Sequence, residues 1–354
     1  MAVTATVPIS LHSTQAGVVT LSAMTETMKA GRMLDVGQMV CEEAPIPDIS
    51  DSQILVKTEF ASICGSDLHI VMQGAAMAIP EQCPHGFPGH EGVGHVVASN
   101  DPSVPTGIDV LTFPNTAIAE GFSGYQRLSS GQYCLPLPAS DLPNQQLMMA
   151  QQLGTVIFAH NQRLRDVTGE TVAILGQGSA GLFWTWLLKR AGAAQVIVSD
   201  RSNTRISVAK KFGADIAVNA NDADIGEVVL DMTDGKGADY VVEAVGSSAA
   251  HDQSIDISRV GGGLMWFGLP DTNAGIEMSF AKFFRKKLSA TSVYGAQDEA
   301  DAVSFQAAMD HIVNGDIDVM PLCSHTYDIE QIDQAMATAF DPVDAAATKV
   351  SVSF

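Results

Sequence analysis

The sequence predicts an α/β chain of two domains, a β-rich barrel-like domain and a doubly wound parallel-sheet domain set into it near its C-terminal end. Three observations lead there. Up to about Met149 the chain breaks into short strand-like runs, Gln53–Thr58, Gly94–Ser99 and Val110–Phe113 among them, separated by Pro and Gly. From Thr171 onward, continuous apolar runs alternate with helical stretches, the pattern of a parallel sheet covered on both faces. Between the first such run and the first helical stretch stands the glycine loop Gly176-Gln177-Gly178-Ser179-Ala180-Gly181.

Taken in order, residues 1–27 read as an N-terminal extension, with no Lys or Arg to form the basic start of a secretory signal. Residues 28–150 form the β-rich domain, completed by 296–354, and residues 151–295 form the parallel-sheet domain. Within the latter, strand Thr171–Leu175 leads into helix Ser179–Arg190, stopped by Ala191-Gly192, and then strand Val196–Ser199. Helices near Ile206–Phe212 and Ala249–Arg259 alternate with strands Tyr240–Val245 and Leu264–Phe267. A helix over Glu299–Val313 and a closing strand Lys349–Phe354 return the chain to the first domain.

A chain of 354 residues is long enough for two sizeable cores. Forty acidic residues against 19 basic ones give a net charge of −21, which repels nucleic-acid phosphates and anionic membranes. No apolar run approaches the length of a membrane span. The five cysteines are scattered, odd in number and without a CxxC pair, so a disulfide framework is not expected. The expectation is a soluble cytoplasmic protein acting on a small molecule, with neither nucleic acid nor membrane as partner.

The glycine loop carries the strongest local signal, because it follows a predicted strand and opens a predicted helix. Gly176 permits the tight turn, Gly178 admits a pyrophosphate to the backbone, and Gly181 lets the helix pack on the sheet. The free N–H groups from Ser179 and Ala180 onward then face the phosphates with the positive end of the helix dipole. Asp200, 19 residues past Gly181, is placed to accept hydrogen bonds from the adenosine ribose and to repel a 2′-phosphate, favouring NAD over NADP. Arg201 and Arg205 belong to the same cofactor set, and Arg201 is the kind of neighbour that can accommodate such a phosphate.

Two clusters in the first domain carry the reaction chemistry: Cys64-Gly65-Ser66-Asp67-Leu68-His69 and Gly89-His90-Glu91. Thiolate and imidazole are the usual protein ligands of Zn²⁺, and a catalytic zinc keeps one position open. It would lower the pKa of an alcohol so that hydride can leave near neutral pH, while Ser66 and His69 pass the proton outward. Together with the glycine loop these motifs resemble the zinc-containing alcohol dehydrogenases of the medium-chain dehydrogenase/reductase superfamily, over roughly Lys29 to Phe354. The resemblance implies a GroES-like β-barrel catalytic domain and a Rossmann domain meeting at a cleft. It implies catalytic zinc on Cys64 and His90, with Glu91 as an alternative ligand and Asp67 supporting the site. It implies Ser66 against the substrate oxygen and His69 ending the proton relay. Ala244–Gly246, with Val245, and Gly268–Pro270, with Leu269, correspond to the loops meeting the nicotinamide. A homodimer or homotetramer built through the sheet edge near Ser289–Tyr294 is also implied.

The chain departs from the family at four places. The third zinc-ligand position falls on Gln151, beside Gln152, and an amide oxygen is a weaker donor than carboxylate or thiolate. The four-cysteine lobe that holds a structural zinc is missing, so no structural zinc is expected. His95 stands where relatives place an acid, and reads as a buried or surface strand histidine ahead of a third nitrogen near the metal. His85 reads as a substrate-loop residue or as one without a role. The leading expectation is reversible, zinc-assisted oxidation of a secondary alcohol, polyol or cyclitol with NAD, its specificity set by Val71–Pro88 and Pro114–Gly124. The alternatives are a zinc-free reductase of an activated double bond or quinone, and a cofactor sensor without activity.

Overall fold

The computed structural model describes residues 26–75, 79–80, 82–163, 166–341, 343 and 345–354. The expected N-terminal extension, up to residue 25, lies outside them, as do residues 76–78 and 81 of the expected substrate loop. In chain order the first part holds the hairpin β1 (Thr27–Asp35) and β2 (Gln38–Pro45), then β3 (Ile54–Ser62) and helix α1 (Gly65–Gln73). β4 (Gly92–Ser99), β5 (Asp109–Thr112), β6 (Tyr125–Leu128) and β7 (Cys134–Pro136) follow, leading to α2 (Asn144–Leu147) and α3 (Ala150–Arg163). The alternation of β3 has a plain cause: Ile54, Val56 and Thr58 point inward, while Lys57 and Glu59 meet solvent.

The second part alternates β8 (Thr171–Leu175), α4 (Ser179–Arg190), β9 (Gln195–Asp200), α5 (Asn203–Lys211), β10 (Ile216–Asn219) and α6 (Ile225–Met232). It continues through β11 (Ala238–Glu243), α7 (Ser248–Ile257), β12 (Ser258–Trp266), α8 (Phe280–Arg285) and β13 (Ser289–Ser292). Last come α9 (Val303–Val313), β14 (Cys323–Asp328), α10 (Ile332–Phe340) and β15 (Lys349–Ser353).

Strands β8 to β13 make one six-stranded parallel sheet in the order β10-β9-β8-β11-β12-β13. The chain runs outward from β8 to β10, then crosses to β11 on the other side, leaving a crevice beyond the ends of β8 and β11. Ligands bind at such a reversal of strand order. Both faces are covered: Val172 and Ile174 pack with Leu182 and Leu188 of α4, while Ala173 and Leu175 pack with Val229 of α6 and Ile255 of α7. That two-sided burial is why β8 reads as an unbroken apolar run. β14 and β15 join the first part instead, giving a seven-stranded sheet with the path β14-β15-β3-β4-β5-β7 and β6 on β3.

Helix α3 joins the two sheets. Its Leu153, Val156 and Ile157 share a core with Val93 and Leu111 of the first sheet and Val172 of the second. Against it packs α9, whose Phe305 stacks on Phe113 at 4.3 Å between ring centroids. Several predicted boundaries shift, two helix ends among them. The helix expected over Glu299–Val313 begins at Val303, because Asp301 (φ 58°) and Ala302 (φ 49°) turn left-handed and Glu299 caps it from outside through the Ser304 N–H at 2.7 Å. The helix expected to reach Arg259 stops at Ile257, and the next residue already opens β12. Among the described residues no helix is long and apolar enough to cross a membrane.

Gly154 of α3 is where the two helices touch: a Cβ there would lie 2.3 Å from Phe305 Cδ1 and 2.9 Å from its Cα. Gly154→Ala gains about 0.5–1 kcal/mol of helix propensity, but the clash reaches backbone and overpacking costs about 1–3 kcal/mol. Overpacking wins, so the variant should unfold several degrees lower in a thermal melt. An unchanged or raised midpoint would mean that α9 can move aside freely.

Candidate active site

β3 ends at Ser62, and the chain turns at Cys64 into α1. Cys64 is the N-cap, its N–H held at 2.9 Å by Asp67 Oδ2, so the helix start aims Cys64, Ser66 and His69 at one place. Across β3, the residues just before β4 bring His90 and Glu91 to the same place. One ligand atom from each of Cys64, His90 and Glu91 falls within 4.8 Å of the others. His90 Nδ1 lies 3.0 Å from Asp67 Oδ1 and 3.1 Å from the Pro88 carbonyl, which leaves Nε2 facing the cleft, 3.4 Å from Ser66 Oγ. Burial lowers the pKa of His90, but the Asp67 carboxylate and Cys64 outweigh it and hold the imidazole well above its ordinary value. Asp67, wholly buried, is raised by that burial despite His90.

Glu91 is buried and not alone. Its Oε2 accepts from Ser62 Oγ and sits 2.6 Å from Lys349 Nζ of β15, and that ammonium also donates to Gln152 Oε1 at 3.2 Å. Burial alone would raise Glu91, yet Lys349 and His90 bring it below the usual carboxylate range. Burial likewise opposes charge on Lys349, and Glu91 with Cys64 overcomes it, leaving the lysine above its ordinary value. Glu91 Oε1 is buried without a hydrogen-bond partner. Gln152 Nε2 approaches Cys64 Sγ at 3.9 Å, and Gln151 lines the cleft beside them. The donor set therefore suits Zn²⁺: a partly buried thiol, an imidazole nitrogen and an unpartnered carboxylate oxygen converge, with a neutral amide adjacent.

The cleft encloses about 240 Å³, and its opposite wall is the reversal point of the parallel sheet, where Ala180, Ala244, Val245, Gly268 and Leu269 lie. Here the glycine loop does three separate jobs. Gly176 is left-handed (φ 87°); a Cβ on Gly181 would stand 1.9 Å from the Gly176 carbonyl; a Cβ on Gly178 would meet nothing nearer than Arg205 at 4.0 Å, so space remains for a ligand. Gly178 caps α4 without a side-chain bond, leaving the first N–H groups, those of Ser179 to Gly181, for an incoming anion. Asp200 ends β9 with Oδ2 accepting from Gln177 N and Oδ1 from Ser202 N, both at 2.8 Å. Arg205 sits 3.9 Å from Asp200 and donates to the Ala347 carbonyl at 2.9 Å, whereas the Arg201 side chain is exposed.

Two profiles match the chain: the one described as "Alcohol dehydrogenase GroES-like domain" over residues 50–140, and the one described as "Zinc-binding dehydrogenase" over residues 180–313. The chain belongs to the zinc-type alcohol dehydrogenases of the medium-chain superfamily. It is accordingly an oxidoreductase. It is similar to an alcohol dehydrogenase of Cupriavidus necator, 26% identical across 87% of this chain and 94% of that one. A sorbitol dehydrogenase of Bacillus subtilis is 27% identical across 89% and 94%. In fold it matches an alcohol dehydrogenase from Thermus sp. ATN1 with a TM-score of 0.77 at 23% identity, over 92% and 100% of the two chains.

The structure thus gathers Cys64, Ser66, His69, His90, Glu91 and Gln151 on one wall of the dehydrogenase cleft, facing Ala180, Val245, Gly268 and Leu269. His95 and His85 stay outside it, paired on the surface with Asp109 at 2.8 Å and Glu42 at 2.7 Å. Sequence reasoning missed Lys349 and Gln152. A lone lysine opening a buried closing strand, Lys349-Val350-Ser351-Val352, was the available sign of the first.

Removing one partner of a buried ion pair leaves the other uncompensated, at about 3–5 kcal/mol. Lys349→Met should lower unfolding free energy by that order at pH 7.5, read by urea titration. Wild-type Glu91, with its lowered pKa, contributes stability above the ordinary carboxylate value and loses it as pH falls through the lowered one. Without the lysine, Glu91 takes up a proton more readily, so the deficit should shrink by pH 5.5. Adding Glu91→Gln should restore much of it at pH 7.5. Equal deficits at both pH values would sink this account.

Proposed function

We propose that this protein oxidises a secondary alcohol, polyol or cyclitol to the ketone, reversibly, with NAD as hydride acceptor and zinc held by Cys64, His90 and Glu91, with Gln151 beside it. The observation that carries the reading is the single cleft in which the thiol, imidazole and carboxylate face the glycine loop and the Ala244–Val245 and Gly268–Leu269 loops. The division into residues 28–150 with 296–354, and 151–295, follows from the same reading, since the cleft lies between the two sheets.

When bound, zinc supplies a Lewis acid that lowers the pKa of the substrate alcohol, and the nicotinamide accepts the hydride. Ser66 Oγ would accept the alcohol proton as it gives up its own towards solvent, and His69, at the edge of the cleft with Nδ1 on Gln73 Oε1 at 2.6 Å, would be the last group to pass it out. Asp67 orients the His90 ring, and Lys349 keeps Glu91 ionised and in place. Ile70 and Phe267 present apolar wall to the reacting carbon, while Thr116 and Gln297 offer hydrogen bonds to further hydroxyls. Sorbitol as the substrate named for one relative agrees with such a polyol pocket. Asp200 and the open space at Gly178 support NAD, with the pyrophosphate on the α4 N-terminus. The exposed Phe280, Phe284 and Tyr294 beside the edge strand β13 support a dimer formed there, and a monomer at working concentration would remove it.

A second reading, the zinc-free reductase, is favoured by one observation: the Lys349 ammonium already neutralises Glu91. Purified protein assayed on an alcohol panel at 340 nm separates the two. Chelation should abolish alcohol oxidation and zinc should restore it. Zinc binds the deprotonated thiol and imidazole, so retention should weaken as pH falls, and the raised pKa of His90 carries that competition from protons further up the pH scale. Full activity after complete metal removal would install the reductase in place of the zinc enzyme.

For the cofactor, Asp200→Gly should raise KM for NAD by about tenfold or more, with turnover less affected, and relax rejection of NADP. Wild-type protein that uses NADP better than NAD would contradict the role given to Asp200.

A further inference from the structure

Glu243, the last residue of β11, is wholly buried and takes no part in the chemistry above. Its surroundings are unusual. Oε1 accepts two consecutive backbone N–H groups, Val245 at 2.7 Å and Gly246 at 2.8 Å. Its main-chain carbonyl accepts two more, Phe267 at 2.9 Å and Gly268 at 3.0 Å. Oε2 has no hydrogen-bond partner; it lies 3.7 Å from His251 Nδ1, and a Cβ added to Gly268 would stand 2.8 Å from it. The two loops are also in direct contact, since a Cβ on Gly246 would fall 1.9 Å from the Leu269 carbonyl. One residue therefore braces both loops, and both reach the cleft wall opposite Cys64 and His90.

We infer that Glu243 is a positioning residue for the nicotinamide ring: through the Val245 and Gly246 N–H groups it sets the Ala244–Gly246 loop against Gly268–Leu269, forming the seat on which the ring lies. The inference rests on the proposed nicotinamide cofactor and adds what holds the ring half of that site. Left unmade, the two N–H groups would turn elsewhere, because buried donors are rarely tolerated without partners. Burial pushes the Glu243 carboxyl above its usual range, against the pull of Gly246 N–H and His251, so an uncharged oxygen is a fair substitute. The seat needs an acceptor, not a charge.

The test uses two ligands that differ only in the ring. NADH and ADP-ribose share the adenosine and diphosphate, and ADP-ribose has no nicotinamide. Glu243→Leu should weaken NADH binding by about tenfold or more, as for two lost hydrogen bonds, and leave ADP-ribose within about twofold. Glu243→Gln, which keeps an oxygen for both N–H groups, should bind NADH within about threefold of wild type. NADH is followed by its fluorescence, ADP-ribose by calorimetry, and thermal melts report folding. Should Glu243→Leu not fold, Glu243→Ala carries the same comparison. Equal losses for both ligands would make Glu243 a merely structural brace and overturn the inference, as would full NADH affinity in the leucine variant. Wild-type protein that binds neither ligand would overturn the cofactor reading itself, an outcome distinct from either.

Discussion

The site hangs on the buried pair of Lys349 and Glu91. Lys349 opens β15 and Glu91 directly precedes β4, and these two strands lie on opposite sides of β3. Taking both charges out of water costs several kcal/mol per ion, and their attraction alone does not offset that. Two further bonds offset part of that cost: Ser62 donates to the carboxylate and Gln152 accepts from the ammonium. Gln152 belongs to α3, which shares its core with both sheets. A charge pair in the first sheet thereby fixes the helix that links it to the second, and the distance between the two cleft walls follows.

That arrangement also explains how a neutral side chain can stand at the position where the resemblance implies a metal-binding acid or thiol. With the lysine ammonium buried, a second unpaired carboxylate on α3 would have to share one cation with Glu91. Gln151 and Gln152 avoid that competition, one lining the cleft and the other serving as the lysine's acceptor. The unpartnered Glu91 oxygen is then the remaining anionic donor beside Cys64.

Much of this was legible in the residues. The loop from Gly176 to Gly181 has glycine where a side chain would strike backbone, and the helix it opens runs over the predicted span, Ser179–Arg190. Cys64, His90 and Glu91 were readable because thiol, imidazole and acid chemistry shows in the letters, and the structure does bring them together. What the letters concealed are contacts between distant segments. Lys349 meets Glu91 only once β15, β3 and β4 lie side by side, and Glu243 looks like any strand-ending acid until its loop folds back upon it. Strands β1, β2 and β10 were passed over because their mixed, partly exposed residues give weak alternation. Helix α9 began late because a cap from outside the helix, Glu299, leaves no sign at the first helical residue.

The carboxylate of Asp200 has about four acceptor positions, and the protein itself occupies two of them, with Gln177 N and Ser202 N. Two are left, as many as the hydroxyls of the ribose in the proposed cofactor. The same group that would choose the cofactor thus already holds the glycine loop in shape before any cofactor arrives, so little ordering remains to be done on binding. On that reading preference and scaffold are inherited together. A redesign that simply deletes the acid would loosen the turn it supports, and a lasting change of preference calls for a neutral side chain that still receives both backbone N–H groups.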